Sequence, residues 1–262
     1  MRETTATDLN ERSELLRSLH VPGDPLLLPN AWDAATARAV VDAGFPVVAT
    51  TSGGVAATLG YEDHEGAPAE EMLAAAARIA RSVEVPVTVD AEAGYGMEPG
   101  ALVAALRDMG AAGCNLEDTD YTRGGLRDPD EQAEWLRSVR GAASEIGYRL
   151  VVNARIDVFL ANAGEGSQSE HLPDAVRRAR AYLKAGADCV FPITLWEADA
   201  LARFIAESGG PVNVLPIPPA PPLPELARLG AARISWGALL HHQAMEEFSG
   251  TLAALAASAP RK

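Results

Sequence analysis

The sequence predicts a parallel (β/α)8 barrel of the TIM type. A helix-patterned stretch closes on a glycine and runs into an apolar strand at four separate places. Further short apolar runs bring the total to about eight strands alternating with helices, the pattern of βα units. The glycine-rich phosphate loop that follows the first strand of an open doubly wound sheet is missing; that strand runs into Pro29-Asn30-Ala31-Trp32-Asp33.

Taken in order, Leu26 to Leu28 is the first strand and Ala34 to Asp42 the first barrel helix. Asp42-Ala43-Gly44-Phe45-Pro46-Val47-Val48 is the first junction, its glycine suited to the left-handed residue that closes a helix. A helix over Ala69 to Ser82 leads to the strand Val85 to Val89, and a helix over Pro99 to Met109 leads through Gly110 and Gly113 to Cys114-Asn115-Leu116. A helix over Asp130 to Ser144 precedes the strand Arg149 to Asn153. Pro173 to Lys184 is helical and passes through Gly186 to Cys189-Val190-Phe191. Glu197 to Glu207 precedes the strand Pro211 to Leu215, Leu223 to Leu229 passes through Gly230 to Ile234-Ser235, and Leu239 to Ala257 is a terminal helix. Residues 1–262 read as one barrel domain with a short N-terminal helical extension.

The chain is 48% hydrophobic, enough for one large core, and no linker or low-complexity tract divides it. Met1 to Arg12 carries charges without an apolar core and does not read as a secretory signal. No apolar run reaches the roughly 18 residues of a membrane span. Cys114 and Cys189 fall in strands, as small core residues of a reducing cytoplasm do. A net charge of -14 excludes nonspecific nucleic-acid binding through a basic surface. An anionic substrate then needs a local cation to hold it.

Val89 to Gly96 reads Val-Asp-Ala-Glu-Ala-Gly-Tyr-Gly. Strand residues i and i+2 share a face, so Asp90 and Glu92 project together from a strand end. Acids this close repel unless a cation or proton lies between them, and oxygen-only ligands call for a hard cation such as Mg²⁺. A second acidic pair, Glu117-Asp118, ends the next strand. In a parallel barrel the chemistry sits at the C-terminal strand ends. Those ends supply Asn30, Ser52, Gly53, Gly54, Asp90, Glu92, Glu117, Asp118, Asn153, Arg155, Pro192, Thr194, Asn213 and Ser235, with no histidine among them. Acids holding Mg²⁺ beside one arginine suit a carboxylate substrate that chelates metal, such as a 2-oxo acid.

Leu28-Pro29-Asn30-Ala31-Trp32-Asp33, Thr50 to Gly54, Leu59-Gly60-Tyr61-Glu62-Asp63, Asp90 to Gly96, Asn115 to Asp118 and Asn153 to Asp157 stand in order along the chain. Together they resemble the isocitrate lyase and phosphoenolpyruvate mutase superfamily. The resemblance implies a TIM barrel whose last helix exchanges between subunits, and a homo-oligomer, commonly a tetramer assembled as a dimer of dimers. It implies that Asp90 binds Mg²⁺ (or Mn²⁺) directly while Asp63, Glu92 and Glu117 support its water shell. The implied chemistry makes or breaks a bond next to a 2-oxo acid through an enolate that Mg²⁺ stabilises. Backbone N–H groups of Ser52, Gly53 and Gly54 are then placed for an oxyanion, and Arg155 for a bidentate grip on the substrate carboxylate.

The loop after Glu117 departs from the family pattern. Asp118 to Arg127 lacks the cysteine and histidine that isocitrate and methylisocitrate lyases carry there, and lacks the mutase asparagine. Its two glycines suit a mobile lid, with Tyr121 and Arg123 its only chemically useful side chains; an ordinary surface loop is the competing reading. His64 reads as a solvated loop histidine, and His241-His242 lacks partners at metal-ligand spacing. Pro216 to Pro224 reads as a rigid loop over the barrel mouth. Trp32 either lines the pocket or packs beneath it, and Asn213 either contacts a distal substrate group or caps a loop. The expected function is a Mg²⁺-dependent carbon–carbon lyase acting next to a 2-oxo acid, on oxaloacetate or a substituted malate. Phosphonopyruvate hydrolase or phosphoenolpyruvate mutase chemistry is the alternative, and a non-catalytic oxo-acid-binding barrel is the alternative of another class. The expected catalytic residues are Glu117, Arg155 and Tyr121.

Overall fold

The computed structural model describes residues 6–258, so the first five residues of the charged N-terminal stretch and the last four of the chain lie outside it. Proline lacks the N–H a sheet ladder needs, and Pro29 splits the first stave into β1 (Leu26–Leu28) and β2 (Asn30–Ala31). β2 pairs in parallel with β3 (Val48–Thr50), followed by β4 (Val87–Asp90), β5 (Gly113–Glu117), β6 (Val151–Ile156) and β7 (Cys189–Pro192). On its other side β1 pairs with β9 (Arg233–Ser235), which pairs with β8 (Asn213–Val214). A parallel bridge from Val190 to Val212 joins β7 to the approach to β8. Since β1 and β2 are one run of chain, the two hydrogen-bonded sheets form a single ring, the expected barrel.

Helix α1 (Ala6–Ser18) crosses the N-terminal end of the barrel. Leu9, Ser13, Leu16 and His20 are buried at roughly helical spacing. Ser13 Oγ donates to the Ala112 carbonyl at 3.0 Å, and Arg17 pairs with Asp188 at 2.8 Å. A Cβ at Gly113 would lie 2.8 Å from Leu16 Cδ2 and 2.7 Å from the Val151 carbonyl, so that approach requires glycine.

The outer layer contains α2 (Ala34–Asp42), α4 (Ala69–Ala80), α5 (Pro99–Met109), α6 (Pro129–Glu145), α8 (Gln168–Lys184), α9 (Ala198–Ser208) and α10 (Leu223–Leu229). α8 begins five residues before the expected Pro173, because Ser167 Oγ accepts the Ser169 N–H. Two helices were not expected. α3 (Ser52–Leu59) occupies what read as an oxyanion loop, and α7 (Val158–Ala161) follows β6 at once. α11 (Leu239–Ser258) buries none of its residues. Met245, Phe248, Leu252 and Leu255 stand 46 to 60% exposed along it.

Candidate active site

Asp90 ends β4, where Thr50 Oγ1 accepts its backbone N–H at 2.8 Å. Its Oδ2 accepts the Ser52 N–H at 3.0 Å, at the first residue of α3. Thr51 gives α3 no side-chain cap, so the Gly53 and Gly54 N–H groups stay in an uncapped first turn. Neither glycine has a positive φ. Each is required by packing instead: a Cβ on Gly53 would meet Asp63 Oδ2 at 2.8 Å, and one on Gly54 would meet Thr51 Cγ2 at 2.8 Å and Trp32 Cβ at 3.0 Å.

The chain then turns sharply, with Glu92 at φ +48° and Tyr95 at φ +56°. Non-glycine residues rarely adopt this conformation, and here the side chain explains it. Glu92 Oε1 accepts the Glu65 N–H at 2.5 Å, and the Glu92 carbonyl accepts the Glu117 N–H at 2.9 Å. Glu65 in turn accepts the Tyr95 N–H at 2.7 Å. Loop and strand end are thus laced together around a carboxylate that is 2% exposed. Burial, with Asp90 and Asp63 nearby, pushes the Glu92 carboxyl up to about 7.

Glu117 ends β5 and is fully buried. Arg155 Nη1 pairs with its Oε2 at 2.5 Å, and the Tyr121 phenol donates to its Oε1. Arg155 also grips Asp157 through Nε at 2.7 Å and Nη2 at 2.9 Å. The bidentate edge of Arg155 is thus taken by Asp157. Asp157 already balances Arg155, leaving Glu117 as the surplus negative charge, and burial raises its carboxyl well above the usual range. Behind them Asp118 accepts the Asp157 N–H at 2.9 Å, the Tyr182 phenol at 2.7 Å and Arg178 Nη1 at 3.0 Å.

The lid is folded over this cluster. Asp120 Oδ1 accepts the Thr122 and Arg123 N–H groups, and the Asp120 N–H reaches the Gly125 carbonyl at 2.8 Å. Arg123 is spent on Asp120 at 2.6 Å and Glu131 at 3.0 Å. Two lid side chains point inward: Thr119 Oγ1 donates to Asp157 Oδ2 at 2.6 Å, and Tyr121 reaches Glu117. The Tyr121 oxygen lies 3.2 Å from His64 Nδ1. Because the phenol proton goes to Glu117, Nδ1–H must be the donor, which fixes the His64 tautomer. The loop histidine is exposed, as expected, yet touches the lid.

The other expectations divide. Asn213 is buried and exchanges hydrogen bonds with Ser235 at 3.0 and 3.3 Å, within the barrel interior. Trp32 meets His241 of α11 edge-on, with ring centroids 5.1 Å apart. Cys114 and Cys189 are core thiols that burial pushes up to about 12. Asp157 was not singled out by sequence, although it stands two residues after Arg155.

Asp63 Oδ1 and Glu92 Oε2 are buried carboxylate oxygens with no hydrogen-bond partner. Together with Asp90 they are an all-oxygen donor set, which fits a hard divalent cation. Among the described residues no three acidic, histidine or cysteine side chains converge as direct ligands, so the set fits an ion that keeps most of its water. Each Glu117 oxygen has one partner here, Arg155 on Oε2 and Tyr121 on Oε1.

A parallel barrel with an arginine and a cluster of acids at the C-terminal strand ends has the form of a barrel enzyme for small anionic substrates. The chain belongs to the phosphoenolpyruvate phosphomutase family, whose model matches residues 16–256, within the isocitrate lyase and phosphoenolpyruvate mutase superfamily. Two relatives carry provisional names. A Burkholderia cenocepacia J2315 structure, named as a phosphonomutase, is 42% identical with a TM-score of 0.89, over 94% of this chain and 98% of its own. Corynebacterium glutamicum 2-methylisocitrate lyase 2 is 33% identical over 78% of this chain and 66% of its own. The structure of 2,3-dimethylmalate lyase superposes at a TM-score of 0.81 with 25% identity, over 94% and 85%. Carbon–carbon lyases are thus among its relatives.

Proposed function

We propose that this protein is a Mg²⁺-dependent lyase that cleaves a carbon–carbon bond next to a 2-oxo acid, with oxaloacetate or a substituted malate as the substrate class. One observation carries the reading: the lid closes with a phenol on Glu117, between Arg155 and the acid cluster. Bound Mg²⁺ (or Mn²⁺) would supply Lewis-acid stabilisation of the developing enolate, held by Asp90 with Asp63 and Glu92 around its waters. The Gly53 and Gly54 N–H groups face an oxyanion at the uncapped end of α3. The Arg155 cation, fixed by Asp157, draws the substrate carboxylate in. Tyr121 and Glu117 hold the lid proton at the end of β5, Tyr121 as donor and Glu117 as its acceptor. Lid closure excludes water.

This arrangement asks less of a small substrate than of a tricarboxylate, which leaves a second fragment to be protonated without a lid cysteine. Purified protein with Mg²⁺ should therefore decarboxylate or hydrolyse oxaloacetate faster than it cleaves isocitrate or methylisocitrate, followed by release of oxalate, pyruvate or glyoxylate. Isocitrate or methylisocitrate as the best substrate would sink the reading. Carbon–phosphorus chemistry is the second reading, favoured by the phosphonomutase name of the Burkholderia relative. Phosphate release or rearrangement of phosphonopyruvate, exceeding any carbon–carbon cleavage, would establish it instead.

The same reading makes the protein a homo-oligomer, a dimer or tetramer, with α11 packed on a neighbour. Its unburied apolar side chains support this. A cytoplasmic location is supported by the two buried thiols; no described helix is long and apolar enough to cross a membrane.

A further inference from the structure

Arg233, the first residue of β9, has the largest fully buried side chain in the barrel. Its Nη2 donates to Asn115 Oδ1 at 3.0 Å, while Nε and Nη1 find no partner. The guanidinium's only acceptor among the described residues is therefore a neutral amide. Burying a cation this way is unfavourable, and an apolar side chain of the same length ordinarily serves a core as well or better. Its presence there calls for a task other than stability.

Asn115 lies on β5, across the bore from β9. Its Oδ1 accepts a second hydrogen bond, from Asn153 Nδ2 at 2.9 Å. With two donors on the oxygen the amide cannot flip, and its Nδ2 is turned to Asp90 Oδ1 at 3.5 Å. Asp90 is also among the charges that act on Arg233 electrostatically. We propose that Arg233 is a positioning residue for the metal carboxylate Asp90, acting through the amide of Asn115, which it locks with its nitrogen toward the site. Without Arg233 only the Asn153 donor holds that oxygen, so the amide gains freedom to present it to Asp90 and turn the carboxylate from the orientation the cation needs. The inference rests on the Mg²⁺ reading above.

The test separates stability from metal binding, using the full chain. Thermal unfolding is measured in excess chelator, and Mg²⁺ binding to the chelator-freed protein by titration calorimetry. Arg233→Met should unfold at the same or a higher temperature, yet bind Mg²⁺ more weakly, on the order of tenfold, as loss of a ligand's outer partner does. Arg233→Lys keeps a cation and a donor and should restore most of the affinity. Asn115→Leu should reproduce the affinity loss, and the double variant Arg233→Met/Asn115→Leu should lose no more than Asn115→Leu alone, because both act through one link. Mg²⁺ affinity unchanged in Arg233→Met, or losses that add in the double variant, would overturn the inference. A wild-type protein that binds no Mg²⁺ would sink the metal reading itself.

Discussion

Glu92 offers a direct measure of what burying a carboxylate beside the acid cluster costs the fold. Its folded carboxyl stands at about 7 against an ordinary 4.5, chiefly from burial. A carboxyl raised on folding binds its proton more tightly in the folded state, so stability falls as pH rises between the two values. Below the lower value both states are protonated and no penalty exists. Above the upper value the penalty is complete, and a shift of about 2.5 units corresponds to about 3 kcal/mol. Glu92→Gln keeps an acceptor for the Glu65 N–H and removes the charge. In chelator the variant should therefore be more stable than wild type by about 1 kcal/mol near pH 5 and by about 3 kcal/mol near pH 8. For a chain of this length the widening gap corresponds to a melting difference that grows by roughly 5 °C, readable by calorimetry. Mg²⁺ should shrink the gap near pH 8 by stabilising the ionised carboxylate in wild type. A gap that stays constant with pH, or a less stable variant near pH 8, would refute the reasoning.

Further outcomes follow from the same geometry. Asp90→Ala should abolish turnover and Mg²⁺ binding while leaving the far-ultraviolet circular dichroism unchanged; full activity in excess chelator would contradict it. Tyr121→Phe removes the only lid proton at Glu117 and should lower kcat by about 10²-fold or more with a smaller effect on KM; an unchanged kcat would send the search for the proton elsewhere. Phe248→Glu with Leu252→Glu should convert an oligomer to monomers in sedimentation, since each half-exposed apolar side chain contributes about 1 kcal/mol when covered; a wild-type monomer would dispose of the docked α11. Arg155→Lys should raise KM about tenfold or more and destabilise the fold, because a lysine cannot hold Asp157 through two nitrogens while reaching Glu117; a variant with wild-type kinetics would contradict that.

Much of the barrel was legible because its local signals agree. The bounds of α2, α5 and α10 match the periodicity residue for residue, each followed by glycine closure or a proline start. α1 was read only as an extension, since one of its three buried positions, Ser13, is polar and breaks the apolar stripe. α3 was hidden by Gly53 and Gly54, poor helix formers that read as strand-end N–H donors but stand where Asp63, Thr51 and Trp32 leave little room for a Cβ. In the site, the i, i+2 rule pointed to Asp90 and Glu92, yet β4 ends at Asp90 and Glu92 turns inward from a left-handed conformation; Asp157 likewise lies just past β6, where a strand rule does not reach. The meeting of His64 with Tyr121 left no local trace, as residues 57 apart in sequence meet only when two loops fold together.

The placement of Arg155 bears on why this site holds so many acids. A lone arginine facing a chelating carboxylate would be free to swing toward the metal ligands and neutralise them. Here Asp157 takes its planar edge, Asp118 takes the Asp157 N–H, and Arg178 and Tyr182 anchor Asp118 in turn. The chain of partners fixes one cation at one strand end and leaves the Asp90, Glu92 and Asp63 cluster uncompensated by side chains. Two of that cluster's oxygens stay buried without a donor. Their repulsion is a standing cost to the fold, and a divalent cation relieves it. On the proposed reading, folding energy is thereby stored where an ion would bind, while Arg155 stays tied to Asp157 and Glu117.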